Sequence, residues 1–229
     1  MYEQGLAPAL MRTRLARGVS SGIHESQSRL WENSIGRSLA FWKSQYHLVQ
    51  ETFPVFQEIS VESFVSALNV VKPGVHRVEA DEVSYNLHIL VRYELERALI
   101  EGELSVESLP RVWGEKYMEY LGVEPGNDTD GVLQDIHWSS GYFGYFPTYT
   151  LGNLYAAQIY HSLRQQFPDF AERLTEGTGF IRQWLLEHLY RFGSIYEPDE
   201  LMVYITGEPT NPTYLIDYLN SKFSQLYDL

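Results

Sequence analysis

Two stretches of this sequence concentrate side chains able to do acid–base or metal chemistry. His24 and Glu25 follow Ser20-Ser21-Gly22 at the opening of a long helical run, and Gln134, Asp135 and His137 sit together beside Trp138. Adjacent helical residues point about 100° apart, so at most one of His24 and Glu25 can face a given metal ion. A catalytic zinc needs three protein ligands and an open water position, and its usual helical source is a pair of His four residues apart. The seven His (His24, His47, His76, His88, His137, His161 and His188) contain no such pair. Glu25 therefore reads either as one part of a metal site or, with His24, as a surface or capping residue. In the second stretch Asp135 can orient a His tautomer, and His137 can donate to a developing oxyanion. The Gly- and aromatic-rich segment that follows offers Tyr142, Tyr145 and Tyr149, which are packing candidates with one hydroxyl available for the same oxyanion. Arg92 lies four residues after His88 and four before Glu96. It reads as a helix ion pair with Glu96, worth a few tenths of a kcal/mol, or as a guanidinium that clamps a substrate carboxylate.

The whole chain limits what such a site could serve. With 229 residues, 44% of them hydrophobic, it can build a sizeable core. A net charge of −13, from 17 basic and 30 acidic residues, disfavours a phosphate-tracking surface, so no nucleic-acid partner is expected. The densest basic stretch, Arg12 to Arg17, is short and amphipathic. No cysteine is present, which excludes disulfides and thiolate metal sites and agrees with a reducing cytoplasm. Neither a secretory leader nor an apolar run of about 18 residues is found, and no membrane partner is expected.

The elements that must position these groups read as helices throughout. Apolar residues from Ile23 to Val49 recur at helical spacing and predict one helix of about 25 to 30 residues ended by Pro54. Further helices are predicted from Val61 to Val70 behind Ser60, from Asp81 to Glu101 before Gly102, and from Ser105 to Leu121, with Pro110 restarting the last. Thr148 or Thr150 opens a helix through Leu163, and Asp169 to Tyr190 follows with a break at Gly177 and Gly179. Glu197-Pro198 and Asn211-Pro212 are helix starts. No alternating strand appears, so the fold is expected to be all-α, a single domain over 1–229.

Four blocks together carry a resemblance. His24-Glu25-Ser26-Gln27-Ser28-Arg29-Leu30-Trp31-Glu32-Asn33, Tyr85-Asn86-Leu87-His88-Ile89-Leu90-Val91-Arg92-Tyr93-Glu94, Gly131-Val132-Leu133-Gln134-Asp135-Ile136-His137-Trp138 and Gly144 to Ala156 resemble, in order and spacing, signature blocks of the thermostable carboxypeptidase Taq family. The similarity covers nearly the whole chain. It implies a zinc-dependent metallocarboxypeptidase, cytoplasmic, largely helical and usually dimeric, that removes residues one at a time from peptide C-termini inside a deep groove. It implies Glu25 as a zinc ligand, Arg92 as a grip on the substrate carboxylate, and His137 as the group that stabilises the tetrahedral intermediate. Tyr149 or Tyr145 would stand beside His137, with Gln134 and Asp135 on the substrate side.

In that family the other two zinc ligands and the general base belong to a His-Glu-Xaa-Xaa-His helix followed by Ala-Leu-Tyr-Glu-Gln-Gly-Leu. This chain starts Met1-Tyr2-Glu3-Gln4-Gly5-Leu6, so the resemblance places that helix upstream of Met1. A single carboxylate binds zinc weakly, and no base would be placed to deprotonate water. The expectation is a C-terminal portion with negligible carboxypeptidase activity alone, either a truncated form or half of a split enzyme completed in trans by the missing N-terminal half. A non-catalytic helical module that binds peptide C-termini is the alternative.

Overall fold

The computed structural model describes residues 1–229, and every regular element in it is helical. Two short 3-10 turns, Glu3–Gly5 and Pro8–Leu10, precede α1 (Ser21–Arg29). Ser20 caps α1 by accepting the Ile23 N–H at 3.1 Å. The single long helix predicted from Ile23 does not form. After Arg29 the chain widens into a π-helical turn, Leu30–Ile35, in which the Gly36 N–H reaches back five residues to the Trp31 carbonyl at 2.9 Å. Ser38 then starts α2 (Leu39–Thr52) afresh, accepting the Phe41 N–H.

Ser60 caps α3 (Val61–Leu68), as its position suggests. Asp81 gathers the N–H groups of Val83 and Ser84 at 3.0 and 2.9 Å and so opens α4 (Tyr85–Ile100). α5 (Leu109–Leu121) has Pro110 in its first turn, the restart that a residue without an N–H allows. α6 (Pro147–Gln166) follows the aromatic segment, and then come α7 (Phe170–Glu176) and α8 (Gly179–His188). α9 (Pro198–Thr206) is closed at its start by a reciprocal Glu197–Glu200 capping box, and α10 (Thr213–Tyr227) ends the order.

Within the chain, read from sequence as one domain, the internal contacts group into two compact units. The first joins Met1–Leu68 to Leu151–Leu229, and the second is Asn69–Thr150. Each unit has its own core. In the first, Ile23, Leu30, Ile159, Leu163, Leu185 and Leu201 are fully buried. In the second, Val91, Leu95, Trp113 and Tyr117 pack between α4 and α5, with Tyr85, Ile89 and Phe146 as a smaller cluster. Burying a Leu- or Ile-sized side chain is worth about 1.5 to 3 kcal/mol, so either core is a substantial source of stability. No helix is long and apolar enough to cross a membrane.

Candidate active site

The second unit is organised around one carboxylate. Asp135 lies in the turn before a 3-10 segment, Trp138–Ser140, and two guanidiniums converge on it. Arg77 donates to Oδ1 through Nε at 2.9 Å and Nη2 at 2.6 Å, and Arg92 donates to Oδ2 through Nε at 2.6 Å. The Asp135 side chain is 7% exposed and that of Arg92 0%. Burial alone would raise the Asp135 pKa, but the charges and hydrogen bonds of Arg92 and Arg77 overrule it and hold it below the usual carboxylate range.

Arg92 meets Asp135 rather than the Glu96 that its helical spacing offers. It makes no pair with Glu96. Its Nη1 donates to the His88 carbonyl at 2.9 Å and to the Tyr117 hydroxyl at 3.1 Å, and its guanidinium lies 4.8 Å from the Trp113 ring and 5.5 Å from that of Phe146. The carboxylate it grips in this structure is Asp135, and its Nη2 has no hydrogen-bond partner. Glu96 accepts instead from the Trp138 indole N–H at 2.6 Å and from the Gly144 N–H. It thus ties the start of the aromatic segment to its middle, where Gly144 takes φ +76°, a value that favours glycine.

Arg77 has no counterpart among the residues singled out from sequence. It sits on the 3-10 turn Arg77–Glu79, its N–H bonds the Gln134 side-chain oxygen at 2.9 Å, and its Nη1 bonds the Tyr85 hydroxyl at 3.1 Å. Gln134 also donates to the carbonyls of Asp130 and Val75 at 2.6 and 3.0 Å, so its amide is spent on shaping the turn. Tyr117 and His88 complete the network, with His88 Nδ1 3.2 Å from the Tyr117 hydroxyl.

His137 and Tyr149 stand in front of this frame. His137 Nε2 and the Tyr149 hydroxyl are 3.0 Å apart, and the imidazole lies 4.4 Å from the Phe146 ring. Nδ1 is 3.7 Å from Asp135 Oδ1, too long for a hydrogen bond, so the carboxylate acts on the ring through its charge. Burial lowers the His137 pKa, Asp135 opposes that, and Arg77 and Arg92 add to it, leaving the imidazole neutral near pH 7. Arg77 is also 4.9 Å from the centre of the Tyr149 ring. Tyr145 is 37% exposed, with its ring 5.5 Å from both His137 and Tyr149.

Glu25 belongs to the first unit. It is on α1, and its Oε1 is 3.1 Å from Arg29 Nε. Gly152 of α6 comes so close that a Cβ there would be 2.7 Å from Glu25 Cγ and 2.9 Å from its Cβ. Gly152→Ala is therefore expected to push Glu25 aside and destabilise the chain by about 1 to 3 kcal/mol, the usual cost of overpacking, read as a lowered thermal midpoint. No three side chains of His, Cys, Asp or Glu converge anywhere in the structure. A zinc ion takes three or four such donors, and Glu25 would supply one of them.

Comparison with known proteins places the chain in a family. The family described as carboxypeptidase Taq (M32) metallopeptidase matches residues 1–223. Carboxypeptidase 1 of Bacillus subtilis is 48% identical over 229 residues, 99% of this chain and 46% of that protein. Thermostable carboxypeptidase 1 of Thermus thermophilus is 47% identical, over 99% of this chain and 45% of its own length. Among solved structures, an M32 carboxypeptidase from Deinococcus radiodurans matches with a TM-score of 0.97 at 39% identity, covering 100% of this chain and 46% of that one. This chain thus spans about half the length of the curated relatives it matches. It belongs to the carboxypeptidase Taq (M32) family of metallopeptidases.

Proposed function

We propose that this chain supplies the substrate-side groups of a metallocarboxypeptidase, and that His137 and Tyr149 stabilise the oxyanion formed as water adds to the terminal peptide carbonyl. The observation that carries this is the 3.0 Å His137–Tyr149 pair backed by a carboxylate that two buried guanidiniums hold in place. Donors fixed before the reaction need no reorganisation when charge develops, which is where such groups gain their effect. With its proton on Nε2, His137 donates to the Tyr149 oxygen and leaves the tyrosine O–H free. As the carbonyl oxygen gains charge, the hydroxyl turns its proton to it. Tyr145 is the one of the four substrate-side candidates with an open face toward a peptide; Arg92, Gln134 and Asp135 act behind it by fixing the turn that carries His137.

Glu25 is proposed as one ligand of a zinc ion whose other ligands, with the general base, come from the family's His-Glu-Xaa-Xaa-His helix, supplied in cis or by a partner chain. The chain alone would then have negligible activity, and a cytoplasmic location suits its lack of cysteine.

The test is release of the C-terminal residue from an N-blocked dipeptide with zinc present, by the 229-residue chain alone and mixed with a polypeptide carrying that helix. No release alone and release on mixing are expected, with Tyr149→Phe or His137→Ala lowering kcat about 100- to 1000-fold. Turnover by the chain alone above a Glu25→Ala control would overturn the dependence on added ligands. Full activity of both site variants would overturn the oxyanion assignment. Peptide binding without any release on mixing would leave the non-catalytic module.

A further inference from the structure

The first unit has a solvent-open cleft of about 680 Å³ between the π-helical turn, α3, α6 and α10. That volume is in the range of small-molecule and short-peptide sites. No residue of the Arg77–Asp135–His137 network lines it, and Glu25 does not either. Its α6 residues, Ala157, Tyr160, His161 and Arg164, point about 80° to 180° around the helix from Gly152, the position that meets Glu25. The cavity is thus a separate feature of the fold.

Its charges are what define it. Arg164 pairs with no carboxylate, and its guanidinium lies 5.8 Å from the Tyr160 ring. Asp217 on α10 and Glu62 on α3 pair with no cation. Groups of opposite sign therefore line one cavity without neutralising one another, in a chain where most other Arg side chains have found acidic partners. The floor is built rather than open: the π-helical turn presents the Asn33 carbonyl, which receives the Tyr218 hydroxyl at 3.2 Å and the Lys222 ammonium at 3.3 Å. The rings of His161 and Tyr214, 4.6 Å apart, supply an apolar wall.

We infer that this cavity binds a zwitterion of short-peptide size, its carboxylate on Arg164 and its ammonium on Asp217 and Glu62. A lone anion would satisfy Arg164 and leave two carboxylates bare; a lone cation would do the reverse. A di- or tripeptide with free ends satisfies both signs and fills the volume, whereas a free amino acid has the same charges and less bulk. The inference stands on the first unit alone and is independent of the catalytic reading.

Calorimetric titration of the 229-residue chain with Ala-Ala, without added metal, tests it. Binding in the micromolar to millimolar range is expected. N-acetyl-Ala-Ala and Ala-Ala-amide should each bind about tenfold more weakly or worse, the loss of one charge-assisted hydrogen bond. Arg164→Gln and Asp217→Asn should weaken Ala-Ala to the same degree. Both residues are exposed, so neither change should disturb folding. Arg164→Lys, which keeps the charge, should retain binding, and so should His137→Ala in the other unit. Alanine binding as tightly as Ala-Ala would identify the amino acid as the occupant, with the zwitterion chemistry upheld. Equal affinity for free and blocked peptides, wild-type affinity in the Arg164 and Asp217 variants, loss of binding in His137→Ala, or no heat at all would overturn it.

Discussion

Asp135→Ala will cost the chain about 3 to 5 kcal/mol, the penalty for leaving a buried charge without its counter-charge. The reason lies in the count of charges at that point. Two guanidiniums share one carboxylate, and the Arg77, Arg92 and Asp135 side chains are 9%, 0% and 7% exposed. Removing either arginine leaves the other paired, whereas removing Asp135 strands both. Asp135→Asn keeps an acceptor oxygen and should fall between wild type and Asp135→Ala. Urea unfolding measures these differences. The pairing also makes a prediction about coupling: in an Arg77→Met background Asp135→Ala should cost less than in wild type, because only one cation is stranded. A loss below 1 kcal/mol, or strict additivity of the two changes, would show that water reaches these groups and screens them. His137 should respond too, since its neighbouring negative charge disappears. Its pKa should fall further, because Asp135 is the largest influence raising it.

Much of the helical order is legible in the sequence because it rests on local signals. Ser60, Pro110, Gly102 and the Glu197-Pro198 start all act within one turn of their own position, and the structure uses each near where periodicity suggests. The long helix from Ile23 fails for a reason that periodicity cannot register. Apolar spacing continues through Leu30 to Leu39, but a π-helical turn shifts the phase and Ser38 offers the backbone a new start. The division into two units is likewise invisible, because the segments of the first unit that share a core are separated by the whole of the second.

At the candidate site the same distinction holds. His137, Tyr149 and Asp135 come from one short stretch, and their proximity follows from spacing. The partners of Asp135 do not. Arg92 has Glu96 one turn away, and local reasoning pairs them; the fold instead brings Arg92 to a carboxylate 43 residues on and gives Glu96 to Trp138 and Gly144. Arg77 lies in a 3-10 turn, outside any helical stripe, with Glu79 and Asp81 close by in sequence, and its partner is 58 residues away. Only tertiary packing tells which acid a buried guanidinium meets. A charged residue inside an otherwise apolar segment, as Arg92 is between Val91 and the rest of α4, is the one sequence signal that a distant counter-charge exists.

Acidification separates two contributions to the stability of the second unit. His88 is fully buried, its Nε2 has no hydrogen-bond partner, and burial together with the charges of Arg92 and Arg77 lowers its pKa to about 4, against the opposing influence of Asp81 and Asp135. The folded chain therefore refuses a proton that the unfolded chain accepts near pH 6.5. As pH falls below that value the unfolded state binds more protons than the folded one, and stability declines until the folded pKa is reached. Lowering the His88 pKa from 6.5 to about 4 corresponds to a loss of about 3 kcal/mol across that window. Asp135 behaves in the opposite sense of charge and in a lower window. Its folded pKa is depressed, so its contribution is complete above the unfolded value near 4 and is lost only as pH drops below it. Urea unfolding from pH 7.5 to 3 should accordingly show a first decline between about pH 6.5 and 4 and a further one below it. His88→Phe removes the first titration while keeping a ring against Tyr117, and its backbone carbonyl still receives Arg92. That variant should have a shallower decline above about pH 4, the remainder coming from His137, whose pKa burial also lowers, and keep the steeper loss beneath it. A wild-type profile already flat across the upper window would show that His88 takes up its proton inside the folded chain.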